Sequence, residues 1–187
     1  EWLPQLCDGR MTFCMALTEP DAGTNSLELR TIAARRNGGW SLNGQKIWIT
    51  GVADADKMLV VARTTPLAEA PKKTFGISMF MIDVDREGLS HQPIEKVGTN
   101  TLASSTVFFD NVHVRDDELI GEVDQGWRQL LDVLNTERIV TTAGLVGAGR
   151  LAIALGVAYA KERRVFGGTA IGAYQAMQFP LAQRWAE

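Results

Sequence analysis

The chain has 187 residues, 45% of them hydrophobic and 22% charged, with a formal net charge of −3. That length builds one large domain or two smaller ones, and the balance is that of an ordinary globular protein. The charge leaves no electrostatic footprint for nucleic acid or an anionic membrane surface.

No apolar stretch reads as long enough to span a bilayer, and no basic-then-apolar leader opens the chain. Cys7 and Cys14 lack the spacing and companion histidines of a zinc site, and His91 and His113 stand alone, so no metal is expected. Reduced thiols are favoured over a Cys7–Cys14 disulfide. The chain stops at Glu187 in what reads as mid-helix, the mark of an excised piece.

In chain order, Glu1 to Gly9 reads as the amphipathic tail of a helix, with residues 1–10 set apart from the β region after them. From Met11 short apolar and β-branched runs alternate with turn signals, giving seven or eight strands over 11–121 and an all-β barrel or sandwich. Phe13 to Leu17 is a strand stopped by Thr18-Glu19-Pro20, since proline removes a ladder donor; Gly23 is expected where the chain doubles back or a ligand approaches closely. Asn37-Gly38-Gly39 and Asn43-Gly44 are both hairpin signals. Lys46 to Gly51, Met58 to Arg63, Gly76 to Asp83, Leu89 to Pro93 and Thr106 to Val114 read as further strands, and Thr64 to Lys73 as a surface loop.

After Leu119-Ile120-Gly121 the period turns helical, with Trp127, Leu130, Leu131 and Leu134 on one stripe and Asp124 as N-cap. Helix continues to about Arg163, Phe166-Gly167-Gly168 breaks it, and a second helix runs from Tyr174 to Trp185 with Pro180 inside. Residues 122–187 therefore read as the first pieces of a helical domain. Gly144, Gly147 and Gly149 follow no strand and invert the dinucleotide fingerprint, so they read as small residues on a closely packed helix face.

Two threonines end strands, Thr18 and Thr50, and Trp48 adds a flat apolar face. Together they offer a wall and two donors to a flat heterocycle; core packing for Trp48 and a water-facing hydroxyl for Thr50 are the plainer alternatives. Glu137 continues the apolar stripe three residues after Leu134, with no cation three or four positions away on its helix. A carboxylate buried there without a partner is expected to have a raised pKa, which suits a general base.

Leu17-Thr18-Glu19-Pro20-Asp21-Ala22-Gly23-Thr24, followed by Leu42-Asn43-Gly44-Gln45-Lys46-Ile47-Trp48-Ile49-Thr50, resembles the middle β domain of the acyl-CoA dehydrogenases. Val107-Phe108-Phe109-Asp110-Asn111-Val112, Leu119-Ile120-Gly121, Asn135-Thr136-Glu137-Arg138 and Arg163-Arg164-Val165-Phe166-Gly167 match the family in the same order, so the similarity covers essentially the whole chain. Family members carry a helical domain before the β domain and complete a four-helix domain after it.

The resemblance implies bound FAD and oxidation of an acyl-CoA thioester to the trans-2-enoyl-CoA. It puts the Thr18 and Thr50 hydroxyls on the isoalloxazine ring, Trp48 against the ring, and backbone groups of Met15, Leu17 and Thr18 at its edge. Thr24 takes the place of a serine beside the substrate, with Arg138 also on the substrate side. Arg163 and Gln175 match residues that contact the FAD of a neighbouring subunit, which implies a homo-oligomer, dimer or tetramer. Val165 and one extra residue between Phe166 and Gln175 depart from the family pattern. Most members carry the catalytic base beyond Glu187, whereas those resembling isovaleryl-CoA dehydrogenase carry it at the position of Glu137.

Also implied are electron-transfer flavoprotein as acceptor, a place in fatty acid metabolism, and a bacterial cytoplasmic or mitochondrial matrix location. No membrane or nucleic-acid partner is expected. Thioester activation in the family uses groups far downstream, so this fragment alone is expected to be inactive. A non-catalytic subunit of the same fold and an acyl-CoA oxidase are the alternatives.

Overall fold

A computed structural model describes residues 2–187. The chain divides into two compact units, with the boundary between Leu131 and Asp132.

The first unit opens with a short helix α1 (Leu3–Cys7) and strand β1 (Phe13–Ala16). Seven more strands come after it: β2 (Ile32–Arg36), β3 (Gly39–Thr50), β4 (Lys57–Arg63), β5 (Ile77–Asp83), β6 (Leu89–Ile94), β7 (Ser104–Arg115) and β8 (Leu119–Ile120). They form one eight-stranded sheet ordered β6-β7-β3-β2-β4-β5-β8, with β1 paired in parallel to β4. Among the described residues the hydrogen-bonded path does not close on itself, and β2 meets β4 at a single residue pair, Ile32 with Arg63. The sheet therefore folds over at that joint. Trp40 of β3 lies 5.7 Å, centroid to centroid, from Phe80 of β5, although the two strands are not ladder neighbours.

One core fills the fold. Met58, Val60 and Ala62 alternate along β4 and pack with Phe80 and Ile82 of β5, Leu42 and Ile49 of β3, and Val107, Phe109, Val112 and Val114 of β7. Every residue of β4 after Lys57 is buried, so both faces of that strand are covered. Cys7 and Cys14 are free thiols; Cys14 is buried in this core, and desolvation pushes its thiol up to about 11.

The hairpin expected at Asn43-Gly44 does not form. β3 runs straight through both residues, and only Asn37-Gly38 makes a turn, between β2 and β3. Asn43-Gly44 instead makes an irregularity in the β3–β7 register between Leu42 and Gly44. Asn43 Oδ1 accepts the Asn111 N–H at 2.9 Å, and Gly44 sits at φ 146° with Thr31 where a Cβ would go. A glycine inside a strand here marks close approach rather than reversal.

Asp124 does not cap the helix after it. Its carboxylate accepts the Thr64 and Thr65 hydroxyls at 2.6 and 3.0 Å, its N–H donates to Ser78 Oγ at 2.8 Å, and helix α2 (Gly126–Glu162) starts two residues later. Three tertiary hydroxyls have taken the groups that capping would have used.

The second unit holds the rest of α2, a two-stranded hairpin of β9 (Arg164–Val165) and β10 (Thr169–Ala170), and helix α3 (Gln175–Ala186). The helix α2 runs unbroken past Thr141, Thr142 and Gly144, and α3 continues through Pro180. At the hairpin tip Phe166 has φ 43° and Gly167 φ 81°, which turns the chain. Gly172 packs against the Ala160 carbonyl, where an added Cβ would lie 3.0 Å from the oxygen, and α3 then runs beside α2 with Leu181 over Gly156.

Two expectations about α2 fail. By length and composition it is apolar enough to cross a membrane, because Ala, Gly, Leu and Val fill its middle and Arg150 is the single charge from Ile139 to Gly156. Gly144, Gly147 and Gly149 face open space, so this chain does not itself supply the close helix packing read from them.

Gly44→Ala tests the β3 irregularity. Its Cβ would fall 2.6–2.9 Å from Thr31 atoms, at a φ that L side chains rarely adopt. We expect a loss of about 1–3 kcal/mol in urea unfolding, whereas the same change at Gly23, where a Cβ meets nothing within 4 Å, should be near neutral.

Candidate functional site

β1 ends at Ala16, and the chain then reverses at Pro20-Asp21, with Glu19 and Ala22 exchanging backbone hydrogen bonds of 3.1 Å each way. Gly23 has no positive φ, so the reversal does not depend on it as the sequence suggested.

What fastens this turn is a buried ion pair. Lys46, in the middle of β3, is fully buried and donates to Glu19 Oε1 at 2.8 Å and to the Leu17 carbonyl at 2.9 Å. Glu19, also buried, accepts the N–H groups of Arg30 at 2.6 Å and Thr31 at 3.0 Å on its two oxygens. Burial pushes the Glu19 carboxyl up, but the Lys46 charge and these hydrogen bonds outweigh it and leave the group below the ordinary carboxylate range. Desolvation draws the Lys46 ammonium down to about 8 against the opposing pull of Glu19.

One residue further along β3, Ile47 N–H donates to the Thr18 carbonyl at 2.9 Å. The Leu17 and Thr18 carbonyls are thus used inward. The Thr18 hydroxyl, half-buried, keeps no partner among the described residues. Trp48 comes next, at φ 64° inside a second register shift between Lys46 and Ile49, and its side chain is 53% exposed. Core packing is therefore not its role: the bulge turns the ring outward. Bulges of this kind re-aim side chains next to functional sites. Thr50 ends β3, exposed, with its Oγ1 3.4 Å from Ser104 Oγ. Met15 is half-buried in β1, and Leu17 is buried.

Thr24 lies exposed beyond the turn. The loop that carries it is held from the other side by Arg63, a buried guanidinium whose charge burial lowers its pKa. It donates to the carbonyls of Leu27, Leu29, Lys73 and Phe75 at 2.7–3.2 Å. So one unit holds Met15, Leu17, Thr18, Thr24, Trp48 and Thr50, with the β1 turn bonded directly to β3.

The second unit holds the other four expected site residues. Glu137 is exposed on α2, so the burial expected of it is not supplied by this chain: Leu130 is buried and Leu134 half-buried, but cover ends there, and Val133 and Val140, one turn to either side of Glu137, are exposed. It lines a hollow of about 350 Å³ with Leu134, Arg138, Thr141 and Thr142. Arg138 Nη1 donates to Asn135 Oδ1 at 2.8 Å, one turn back. Arg163 lies just past α2, exposed, and its carbonyl accepts Ile171 N–H at 2.8 Å, which brings the chain back to it before α3 begins at exposed Gln175.

The donor set suits a flat heteroaromatic ring with carbonyl and imine acceptors: an open aromatic face and an unpartnered threonine hydroxyl on bonded neighbours, with a second threonine at the strand end. Sequence reasoning missed the pair that sets it up. Lys46 was readable as a lone cation inside an apolar alternation, and Glu19 as a carboxylate beside a buried strand end.

The middle-domain model of the acyl-CoA dehydrogenases matches residues 14–112, and the C-terminal-domain model of the same family matches 124–187. Acyl-CoA dehydrogenase FadE12 of Mycobacterium tuberculosis is 40% identical over 182 residues, 97% of this chain and 46% of that protein. The chain thus spans about half the length of the curated relatives it matches. The crystal structure of acyl-CoA dehydrogenase from Geobacillus kaustophilus superposes with a TM-score of 0.93 at 31% identity, over 99% of this chain and 48% of that one. A glutaryl-CoA dehydrogenase from Mycobacterium smegmatis in complex with FADH2 gives 0.85 at 32% identity, over 97% and 45%. The chain belongs to the acyl-CoA dehydrogenase family, a family of FAD-dependent oxidoreductases. The apolar α2 falls within the segment matched by the C-terminal-domain model.

Glu19→Gln should expose the weight of the ion pair. Because the folded state holds the carboxyl below its ordinary value, the stability it contributes is full above the unfolded value and is lost as pH falls through the folded one. Urea unfolding at neutral pH should show the variant less stable by about 3–5 kcal/mol, since Lys46 is left buried and unpaired. That gap should narrow on acidification, and a gap independent of pH would contradict the assignment.

Proposed function

We propose that this chain is the middle and C-terminal part of an FAD-dependent dehydrogenase that converts an acyl-CoA thioester to the trans-2-enoyl-CoA. The observation that carries this is the exposed Trp48 face on a bulge of β3, bonded through Ile47 to the turn bearing the Thr18 hydroxyl, inside the segment matched by the family's middle-domain model.

FAD, when bound, supplies the ring that takes up hydride from the substrate β carbon. Thr18 and Thr50 hold that ring by their hydroxyls, and Trp48 covers one side. Donors aimed at it favour its electron-rich reduced form over the oxidised one, which is the differential interaction that catalysis uses. Met15 and Leu17 line its edge. Thr24 sits beside the thioester. Glu137 removes the α proton; its exposure and the hollow beside it support a role that needs access to a ligand, and Arg138 flanks the acyl group.

Arg163 and Gln175, both exposed and free of ion pairs among the described residues, serve the FAD of a neighbouring copy, which makes the enzyme a homo-oligomer. Electron-transfer flavoprotein accepts the electrons. The relatives from Mycobacterium and Geobacillus are bacterial, which favours the cytoplasm over the mitochondrial matrix.

Glu137→Gln in the full-length protein is the test. If Glu137 is the base, flavin reduction by an acyl-CoA in single-turnover stopped flow should slow about 10²–10⁴-fold, with FAD absorbance unchanged. A near-normal rate places the base elsewhere. A colourless full-length protein that does not recover flavin absorption with added FAD favours the non-catalytic subunit, and rapid reoxidation by air favours the oxidase.

A further inference from the structure

Thr50 is not an isolated hydroxyl at a strand end. It is the cross-strand partner of Ser104, the first residue of β7, which also pairs with Ile94 at the end of β6. Ser104 Oγ lies 3.4 Å from Thr50 Oγ1, and Lys96 Nζ lies 3.0 Å from the same Ser104 oxygen. Lys96 comes two residues after β6. Its ammonium also donates to the carbonyls of Leu102 at 2.6 Å and Thr99 at 3.2 Å, so the segment between β6 and β7 closes around one cation. The Gly51 N–H bonds to the Ala103 carbonyl at 2.9 Å and ties the end of β3 to the same segment.

The chemistry of the three groups gives the chain a direction. An ammonium has three donors and no acceptor, so Ser104 Oγ must accept from Lys96. Ser104 is 6% exposed, which removes water as a ready alternative, and the hydroxyl facing its one proton is Thr50. With Ser104 donating to it, Thr50 Oγ1 accepts, and its own proton is free to point outward on the exposed side of the strand. A charge at the head of the chain strengthens each successive bond. Without that charge, the serine and threonine can exchange roles, and Thr50 then donates inward and offers only lone pairs to a ligand.

We propose that Lys96, acting through Ser104, commits the Thr50 hydroxyl to donate to an acceptor atom of the flavin. The proposal rests on the flavin reading of this site. Lys96 and Ser104 are then positioning residues: neither touches the cofactor, yet both decide whether Thr50 can discriminate the reduced ring from the oxidised one.

The experiment uses full-length flavoprotein and reads the flavin midpoint potential together with FAD affinity by fluorescence quenching. Lys96→Met should weaken the preference for reduced over oxidised flavin about tenfold, the size of one hydrogen bond. For a two-electron couple that is a potential about 30 mV more negative. Ser104→Ala leaves the lysine and its two carbonyl bonds in place but removes the oxygen to which Thr50 could donate inward, so its potential should stay near that of the wild type. In the double variant the Lys96→Met shift should therefore disappear, since the serine is the path by which the lysine acts. Lys96→Arg, still a donor without acceptor capacity, should restore the wild-type potential.

A Lys96→Met protein with unchanged potential overturns the proposal, as does a Lys96→Met shift that persists when Ser104 is also replaced by alanine. Wild-type protein that holds no flavin overturns the flavin reading itself, before any variant is compared.

Discussion

The carboxylate of Glu19 and the ammonium of Lys46 are both withdrawn from water, and the candidate site depends on that arrangement. Taking two charges out of water is unfavourable unless the remaining lone pairs and protons are also satisfied. Here they are: Glu19 takes two backbone N–H groups besides Lys46, and Lys46 takes the Leu17 carbonyl besides Glu19. Two apolar residues would fill the same volume. They would not hold a carbonyl from the β1 turn and the two amides just before β2 to the middle of β3 at once. The pair therefore acts as a registry device, fixing Thr18 beside Ile47 and Trp48, while Arg63 grips the same loop through its carbonyls.

Much of this was legible in the residues, for reasons that differ from place to place. The strands announced themselves where burial is one-sided or total, as in β4 and β5. The reversal after β1 was visible because Pro20 permits little else. Asn43-Gly44 misled because the dipeptide that favours a tight turn also suits a close crossing of Thr31, and only the tertiary neighbour distinguishes them. Asp124 misled in the same way: its carboxylate was claimed by hydroxyls from Thr64 and Thr65, sixty and fifty-nine residues earlier. The threonines and Trp48 were picked out as a group, but not the left-handed backbone that makes Trp48 available.

Glu137 is the instructive case on the other side. Trp127, Leu130, Leu131 and Leu134 are buried or half-buried, whereas Glu137, the next position in their spacing, is exposed. A stripe states that something covers it; it does not state that the cover belongs to the same segment of chain. Ile139, Val140, Leu145, Val146, Leu151 and Leu155 are all exposed along α2, so the described residues 2–187 do not cover this stretch of the helix. The family's C-terminal-domain model matches the segment that holds it.

The backbone of Trp48 bears on how this surface can change over evolutionary time. A bulky aromatic at φ 64° persists because the paired strands on either side leave no relaxed alternative. The position therefore selects against β-branched replacements twice over, once by conformation and once by the flat face they would remove. Thr24, exposed and beyond the turn, stands under no such backbone constraint. The peptide at Trp48 lacks that latitude, so replacement should be tolerated at Thr24 sooner than at Trp48.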